Sequence, residues 1–305
     1  MKNSTTDEKR KYTPKPDWLR TSLNTTSDFH RVSNTIEKMD IHTVCQEAKC
    51  PNLEECWGTH RTASFMILGD TCTRRCRFCA VKTGLPGPVD LDEPRRVAEA
   101  VKSMDLSHVV VTMVNRDDLD HGGSWQMAQT VSEIRSLVPS CTVELLSSDM
   151  MGKIESIARM VEAQPDILSH NLETVRRLTP RVRSRSDYDR SLEFLATVHS
   201  LNPQCKTKSS LMLGLGEEDD EVLRAMDDLL GAGVRILNMG QYLQPTRNHL
   251  PVVKYRTPYE FHDLKMKALQ KGFLHVEAGP LVRSSYHAAD QIKTVNAALE
   301  EENQK

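Results

Sequence analysis

Ser64-Phe65-Met66-Ile67-Leu68-Gly69-Asp70-Thr71-Cys72-Thr73-Arg74-Arg75-Cys76-Arg77-Phe78-Cys79 is a strand-length apolar run that breaks into a loop holding three cysteines. The apolar part reads as a buried strand over 64–68, with a C-x3-C-x2-C set directly after it. Three thiolates on one short loop can face a single centre, which is how a cubane iron–sulfur cluster is held. Four irons with three protein ligands leave one iron open to an outside molecule. The arginines between the cysteines would offset the charge of thiolates and sulfides. Zinc or bare structural thiols are the competing readings, but zinc ligands usually come as paired C-x2-C or with histidines.

Outward from this loop, short β-branched or apolar runs alternate with longer helical patterns. Further strands are expected at 108–114, 142–146, 167–171, 207–213 and 235–241, and helices at 94–104, 125–137, 153–163, 188–200 and 219–231. Pro94 at a helix start and Gly231 at a stop fit helix-end chemistry. Six strands alternating with helices imply parallel βαβ units, hence an α/β fold. Their regular succession favours a barrel-like sheet over a doubly wound one, although spacing alone does not settle closure; the expected fold class is a partial (β/α)6 TIM-type barrel. Ligands then sit at the carboxyl ends of the strands. Three segments follow: 1–62 before the repeat, 63–244 as the barrel, and 245–305 after it, with helices at 258–271 and near 288–301.

Six of the eight cysteines lie between Cys45 and Cys79. Cys45, Cys50 and Cys56 form a second triplet, C-x4-C-x5-C, again one ligand short of four, and its soft donors favour iron–sulfur or zinc over hard cations. Two triplets together suggest a two-cluster enzyme. Cys141 and Cys205 fall at strand starts and read as buried thiols acting as small apolar residues.

The chain has 305 residues, with 40 Lys plus Arg against 42 Asp plus Glu. That near-neutral balance does not predict a nucleic-acid binder, and no apolar run is long enough to span a membrane. Residues 1–20 carry six basic and three acidic side chains without an apolar core. They read as a solvated tail rather than a secretory or transit signal, so the expected compartment is the reducing cytoplasm.

With these residues in view, the C-x3-C-x2-C loop after a first strand resembles that of the radical S-adenosylmethionine enzymes. The C-x4-C-x5-C triplet, together with Arg283-Ser284-Ser285-Tyr286, is similar to the lipoyl synthase family within them. The likeness runs from about Trp18 to Ala289. It includes Cys50-Pro51-Asn52, Glu55-Cys56-Trp57, Arg116-Asp117-Asp118-Leu119, His170-Asn171-Leu172-Glu173, Gly214-Leu215-Gly216-Glu217 and Gly240-Gln241-Tyr242-Leu243-Gln244-Pro245.

The resemblance implies two [4Fe-4S] clusters and S-adenosyl-L-methionine, whose 5′-deoxyadenosyl radical removes hydrogen from an octanoyl chain on a carrier-protein lysine. The auxiliary cluster then donates sulfur, at carbon 6 and carbon 8, giving the lipoyl group. Carried over residue by residue, Cys72, Cys76 and Cys79 hold the radical-generating cluster. Cys45, Cys50 and Cys56 hold the auxiliary one, with Ser285 as its fourth ligand. A hard alkoxide on one iron makes sense if that iron has to leave during sulfur transfer. Asn171 and Glu173 are candidates for the ribose hydroxyls, by the logic of dinucleotide sites. Gly214 and Glu217 belong to a segment resembling the family's adenine-contacting strand, where glycines permit close backbone approach. A phosphate loop is the wrong reading of that segment, since no Lys-Ser/Thr pair follows.

The chain departs from the family's pattern at Ser210, at Thr112-Met113-Val114-Asn115 and at Ser147-Ser148-Asp149-Met150. No catalytic role is assigned to Met113, Asn115 or Met150.

Arg176, Arg177, Arg181, Arg183, Arg185 and Arg190 crowd into fifteen residues. They read either as a solvated face or as a docking surface for an acidic octanoylated carrier domain. The other implied partners are a reductase or a ferredoxin- or flavodoxin-type electron donor and a cluster-repair factor. Two rival functions use the same cysteines: another two-cluster sulfur-inserting radical enzyme, and a cluster-binding regulator without turnover.

Overall fold

The computed structural model describes residues 14–20, 27–47, 50, 52–58 and 61–303. Residues 1–13, which the sequence assigns to a solvated tail, and Pro51 lie outside the described residues. Strands β1 (His42–Thr43), β2 (Thr62–Ile67), β3 (Thr71–Cys72), β4 (Lys82–Thr83), β5 (His108–Met113), β6 (Thr142–Leu146), β7 (Ile167–Ser169), β8 (Lys206–Leu213), β9 (Ile236–Gln241) and β10 (His275–Gly279) follow in chain order. Helices α1 (Ser27–Lys38), α2 (Val44–Glu47) and α3 (Leu53–Gly58) precede the repeat. Then come α4 (Glu93–Ser103), α5 (Ser124–Leu137), α6 (Ile154–Glu162), α7 (Thr179–Val182), α8 (Tyr188–Leu201), α9 (Asp219–Gly231), α10 (Pro258–Lys271) and α11 (Ala288–Asn303).

The main sheet runs β1-β2-β5-β6-β7-β8-β9-β10. Only β1 pairs antiparallel, with β2, and every later neighbour is parallel. Among the described residues no pairing closes β10 back onto β1, so the sheet is an open, partial barrel, a point that the alternation alone left unsettled. The six expected strands are present. β10, unforeseen, extends the sheet from the C-terminal segment.

Local chemistry explains these elements. The β2 and β5 sequences are buried almost throughout, because a parallel strand covered by helices has no wet face. Helix α10 opens on Thr257, whose hydroxyl accepts from the Glu260 N–H while the Glu260 carboxylate reaches back to the Thr257 N–H, with Pro258 at the first position. Cys141 is buried as expected, but Cys205 is only half-buried, because it sits at the rim before β8 rather than inside it.

Candidate active site

The chain turns out of β2 at Leu68, which has φ +71°, and the Leu68 N–H is caught by the buried carboxylate of Glu93 at 2.7 Å. A two-stranded clip, β3 with β4, then fixes Cys72. The Cys72 sulfur accepts from the N–H groups of Arg74 (3.4 Å) and Asn115 (3.3 Å), the second at the end of β5. Cys79 N–H donates to the Cys76 carbonyl at 3.1 Å, turning the last two cysteines onto one side of the loop. Burial pushes the Cys76 thiol up to about 11 and the Cys79 thiol up to about 12. Such thiols ionise only when a cation replaces their protons.

Three walls hold this loop. Thr73 N–H donates to the Asn115 carbonyl, Arg77 N–H to the Val182 carbonyl, and Leu250 N–H to the Arg77 carbonyl. His249 Nε2 donates to the Cys79 carbonyl at 2.9 Å. Because a carbonyl only accepts, that contact sets the tautomer and leaves Nδ1 to accept from the Thr246 hydroxyl.

Beneath the loop lies Arg74, 2% exposed. Its Nε and Nη2 donate to the two carboxylate oxygens of Asp117 at 2.8 and 2.9 Å, and Nη2 also donates to Asp149 at 2.6 Å. Asp149, fully buried, takes Arg190 Nε at 2.9 Å on its other oxygen. Burial alone would raise the Asp149 carboxyl, yet Arg74 and Arg190 hold it well below the usual carboxylate range. The loop is thus riveted to the ends of β5 and β6 by paired charges. Sequence reading took Arg74 for charge compensation of the cluster and Asp149 for part of a divergent strand end. The signal that could have found them is an arginine in a cysteine loop facing acids at successive strand ends.

Asn171 and Glu173 do come together at the end of β7: Asn171 Nδ2 donates to Glu173 Oε1 at 3.1 Å. Glu173 has φ +67°, the left-handed region that non-glycine residues avoid, and is held there by pairing with β8 at Ser210 and Met212. Backbone strain of this kind clusters at functional sites. Burial raises the Glu173 carboxyl, partly opposed by the charge of Arg183.

Arg183 corrects the docking-surface reading. It is 6% exposed, donates to the Leu172 carbonyl (3.1 Å) and the Ser191 hydroxyl (3.2 Å), and its charge faces Glu173 and Cys76. After α7 ends at Val182, the chain turns this side chain inward. Most of its neighbours in the run are also committed: Arg176 pairs with Asp189, Arg177 with Glu221, and Arg190 with Asp149. Arg185 donates to the Thr73 carbonyl of the cysteine loop. Arg183, Arg185 and Arg190 thus brace the site, while Arg176, Arg177 and Arg181 stay exposed.

Gly214 and Glu217 are also corrected in part. A Cβ at Gly214 would collide with the Gln241 side chain and the Lys254 carbonyl, so the glycine is required by packing, and its φ of +106° suits no other residue. The Glu217 carboxylate turns back into its own loop. Its oxygens accept from the Gly214 N–H (2.7 Å) and Leu215 N–H (2.9 Å), with Arg256 Nε at 3.2 Å. It braces the loop through both carboxylate oxygens.

A second recess lies at the other end of the described N-terminal segment. Cys45 on α2, Cys50, and Cys56 on α3 line it together with Ser285, Arg283 and Tyr286 from the far end of the chain. Asn52 Nδ2 donates to the Leu281 carbonyl at 2.7 Å, and the Tyr286 hydroxyl to Glu55. Burial pushes the Cys45 thiol up to about 11, with Cys50 adding to the effect; burial and the charges of Cys45 and Cys50 raise Cys56. Three such thiols ionise together only around a cationic centre, so the donor set fits a cluster. Among the described residues no three His, Cys, Asp or Glu side chains converge to share one metal ion. A cubane asks for something different, one thiolate to each of separate irons.

Residues 66–229 match the model of the Radical SAM superfamily, and residues 1–50 that of the N-terminal domain of lipoyl synthase of the Radical SAM family. A lipoyl synthase of Shouchella clausii is 55% identical over 294 residues, which cover 96% of this chain and 95% of that one. Another, from Geobacillus kaustophilus, is 57% identical over 284 residues, covering 93% and 95%. Among solved structures, methylornithine synthase superposes with a TM-score of 0.55 at 12% identity, over 83% of this chain and 72% of that one. The SuiB protein of Streptococcus suis bound to S-adenosylmethionine gives 0.56 at 11%, over 77% and 56%. At those identities the two structures speak for the fold alone.

Proposed function

The chain belongs to the lipoyl synthase family of radical S-adenosylmethionine enzymes, and from that premise we propose the roles of its residues in inserting two sulfur atoms, at carbon 6 and carbon 8, into an octanoyl group carried on a protein lysine. When bound, S-adenosylmethionine on a reduced [4Fe-4S] cluster supplies a radical able to remove hydrogen from an unactivated carbon, and a second cluster supplies the sulfur.

Cys72, Cys76 and Cys79 hold the first cluster, on a loop whose position Arg74, Asp117 and Asp149 set. Asn171 and Glu173 accept the ribose hydroxyls. Arg183 presents a desolvated guanidinium beside Cys76, suited to the carboxylate of the methionine moiety. Cys45, Cys50, Cys56 and Ser285 hold the second cluster. The observation that most supports this division is that Ser285 and the three N-terminal cysteines line one recess although more than 200 residues of chain separate them. Segment 1–62 then supplies the auxiliary cysteines, 63–244 the radical barrel, and 245–305 the tetrad. An octanoylated carrier domain is the substrate, with the exposed arginines of the run, Arg176, Arg177, Arg181 and Arg185, left to meet it. A reductase or a small ferredoxin- or flavodoxin-type donor supplies electrons, and a repair factor rebuilds the spent cluster. Among the described residues no helix is long and apolar enough to cross a membrane.

Anaerobically reconstituted protein is expected to hold about eight irons and eight sulfides, as two cubanes require, and to form 5′-deoxyadenosine faster with an octanoyl-lysine substrate than without. Half that iron, or cleavage indifferent to the octanoyl group, would contradict the reading. Arg183→Met is expected to raise the half-saturating S-adenosylmethionine concentration by roughly 10- to 100-fold, the loss of one charge-assisted hydrogen bond, at unchanged iron content. Equilibrium binding measured without reductant checks it; an unaltered affinity rules the role out.

A further inference from the structure

Strand β9 is shaped to receive the tetrad. Beyond β10 the chain turns at Pro280 and Leu281, with the Val282 N–H on the Gly279 carbonyl, and runs back over β9. Positions 238 and 240 of β9 alternate onto one face. At 240 a Cβ would collide with the Val282 carbonyl oxygen, so Gly240 gives the returning chain its clearance. At 238 stands Asn238, 1% exposed, whose Nδ2 donates to the carbonyl oxygens of Arg283 (3.1 Å) and Ser284 (2.9 Å). Two carbonyls accept only, so the amide must turn its NH2 to the tetrad. Its Oδ1 has no partner among the described residues, so the hydrogen bonding of this side chain is spent on those two residues.

The placement bears on Ser285. The Ser284 carbonyl belongs to the planar peptide that enters Ser285, so holding it fixes the plane from which that residue departs. The Arg283 carbonyl also accepts from the Tyr286 N–H at 3.0 Å, closing a turn around the two serines. Across the sheet Asn238 is in register with Ser210 of β8, the strand that bridges to Glu173 at Leu211. One strand pair therefore reaches both sites.

We propose that Asn238 is a positioning residue that seats Ser285 at the auxiliary recess; this rests on Ser285 being a cluster ligand there. Asn238→Leu keeps the volume and removes both donors, whereas Asn238→Thr keeps one. In Asn238→Leu, 5′-deoxyadenosine formation is expected to stay within about twofold of the parent while lipoyl product falls about tenfold or more. With Cys76→Ala added to remove the other cluster's signal, the Mössbauer spectrum of the auxiliary cluster should shift as it does in Ser285→Ala, and Asn238→Thr should move it back toward the parent. A shifted spectrum in Ser285→Ala beside an unshifted one in Asn238→Leu overturns the seat alone. Unshifted spectra in both overturn the ligand reading and the seat with it. A fall in 5′-deoxyadenosine in step with product overturns the seat as well, because the damage is then to the barrel.

Discussion

Ser285→Cys is expected to leave 5′-deoxyadenosine formation near its normal rate and to lower sulfur insertion by roughly a hundredfold or more, at or beyond the upper end of what supporting residues of metal sites cost. The argument starts from the recess. Two buried thiols, the half-buried Cys50 thiol and one hydroxyl line it, so three of the ligands are soft and one is hard. If the reaction needs the fourth iron to depart, a fourth thiolate would hold it in place. The variant should then bind at least as much iron as the parent and keep it during turnover. Iron retained on the protein after one round of reduction and substrate addition gives a readout independent of product. Undiminished lipoyl formation in Ser285→Cys would end the lability argument, while leaving Ser285 a ligand of some other purpose.

Much of this was legible because it rests on local rules. The strand-then-cysteine-loop signal and the alternation of apolar runs with helical periods are written in neighbouring residues, and the six expected strands are present within a few residues of their predicted bounds. β10 was not legible: His275-Val276-Glu277-Ala278-Gly279 is short and half polar, and only β9 beside it makes it a strand. Arg183 was misread for a similar reason. In sequence it is one charge among six, and nothing local distinguishes an arginine turned inward at the end of α7 from those left outside. Glu217 reads as a polar strand-end residue, but whether such a carboxylate faces a ligand or its own backbone depends on where Gly214, Leu215 and Arg256 are placed. Asn238 had a weak signal, a lone amide in the otherwise apolar Ile236-Leu237-Asn238-Met239, whose purpose lies 45 residues away in the tetrad.

Asp149→Ala is expected to be strongly destabilising although it touches no cluster ligand. It removes a buried carboxylate from between two guanidinium groups and leaves Arg74, 1% exposed in its side chain, with Asp117 as its remaining acid. Breaking a buried pair by deleting one partner costs about 3–5 kcal/mol, because an uncompensated charge stays behind. The retained Asp117 places the expected loss near 3 kcal/mol, about two decades in the unfolding equilibrium. The exposed pair of Arg95 with Asp92 on the first turn of α4 is the control, and Asp92→Ala should leave the unfolding midpoint where it is. The sign with pH follows from the direction of the Asp149 shift. A carboxyl depressed in the folded state stabilises it fully above the unfolded value, about 3.9, and that contribution is lost as pH falls through and below that value. The gap between the parent and Asp149→Ala should therefore hold from pH 7 to about 5 and narrow below it. Anaerobic unfolding midpoints at one fixed scan rate across that range measure it. Because the same carboxylate rivets the Cys72–Cys79 loop to β6, the variant should also lose iron from the radical-generating cluster faster than from the auxiliary one. Equal rates of loss would mean that the clamp serves the fold alone.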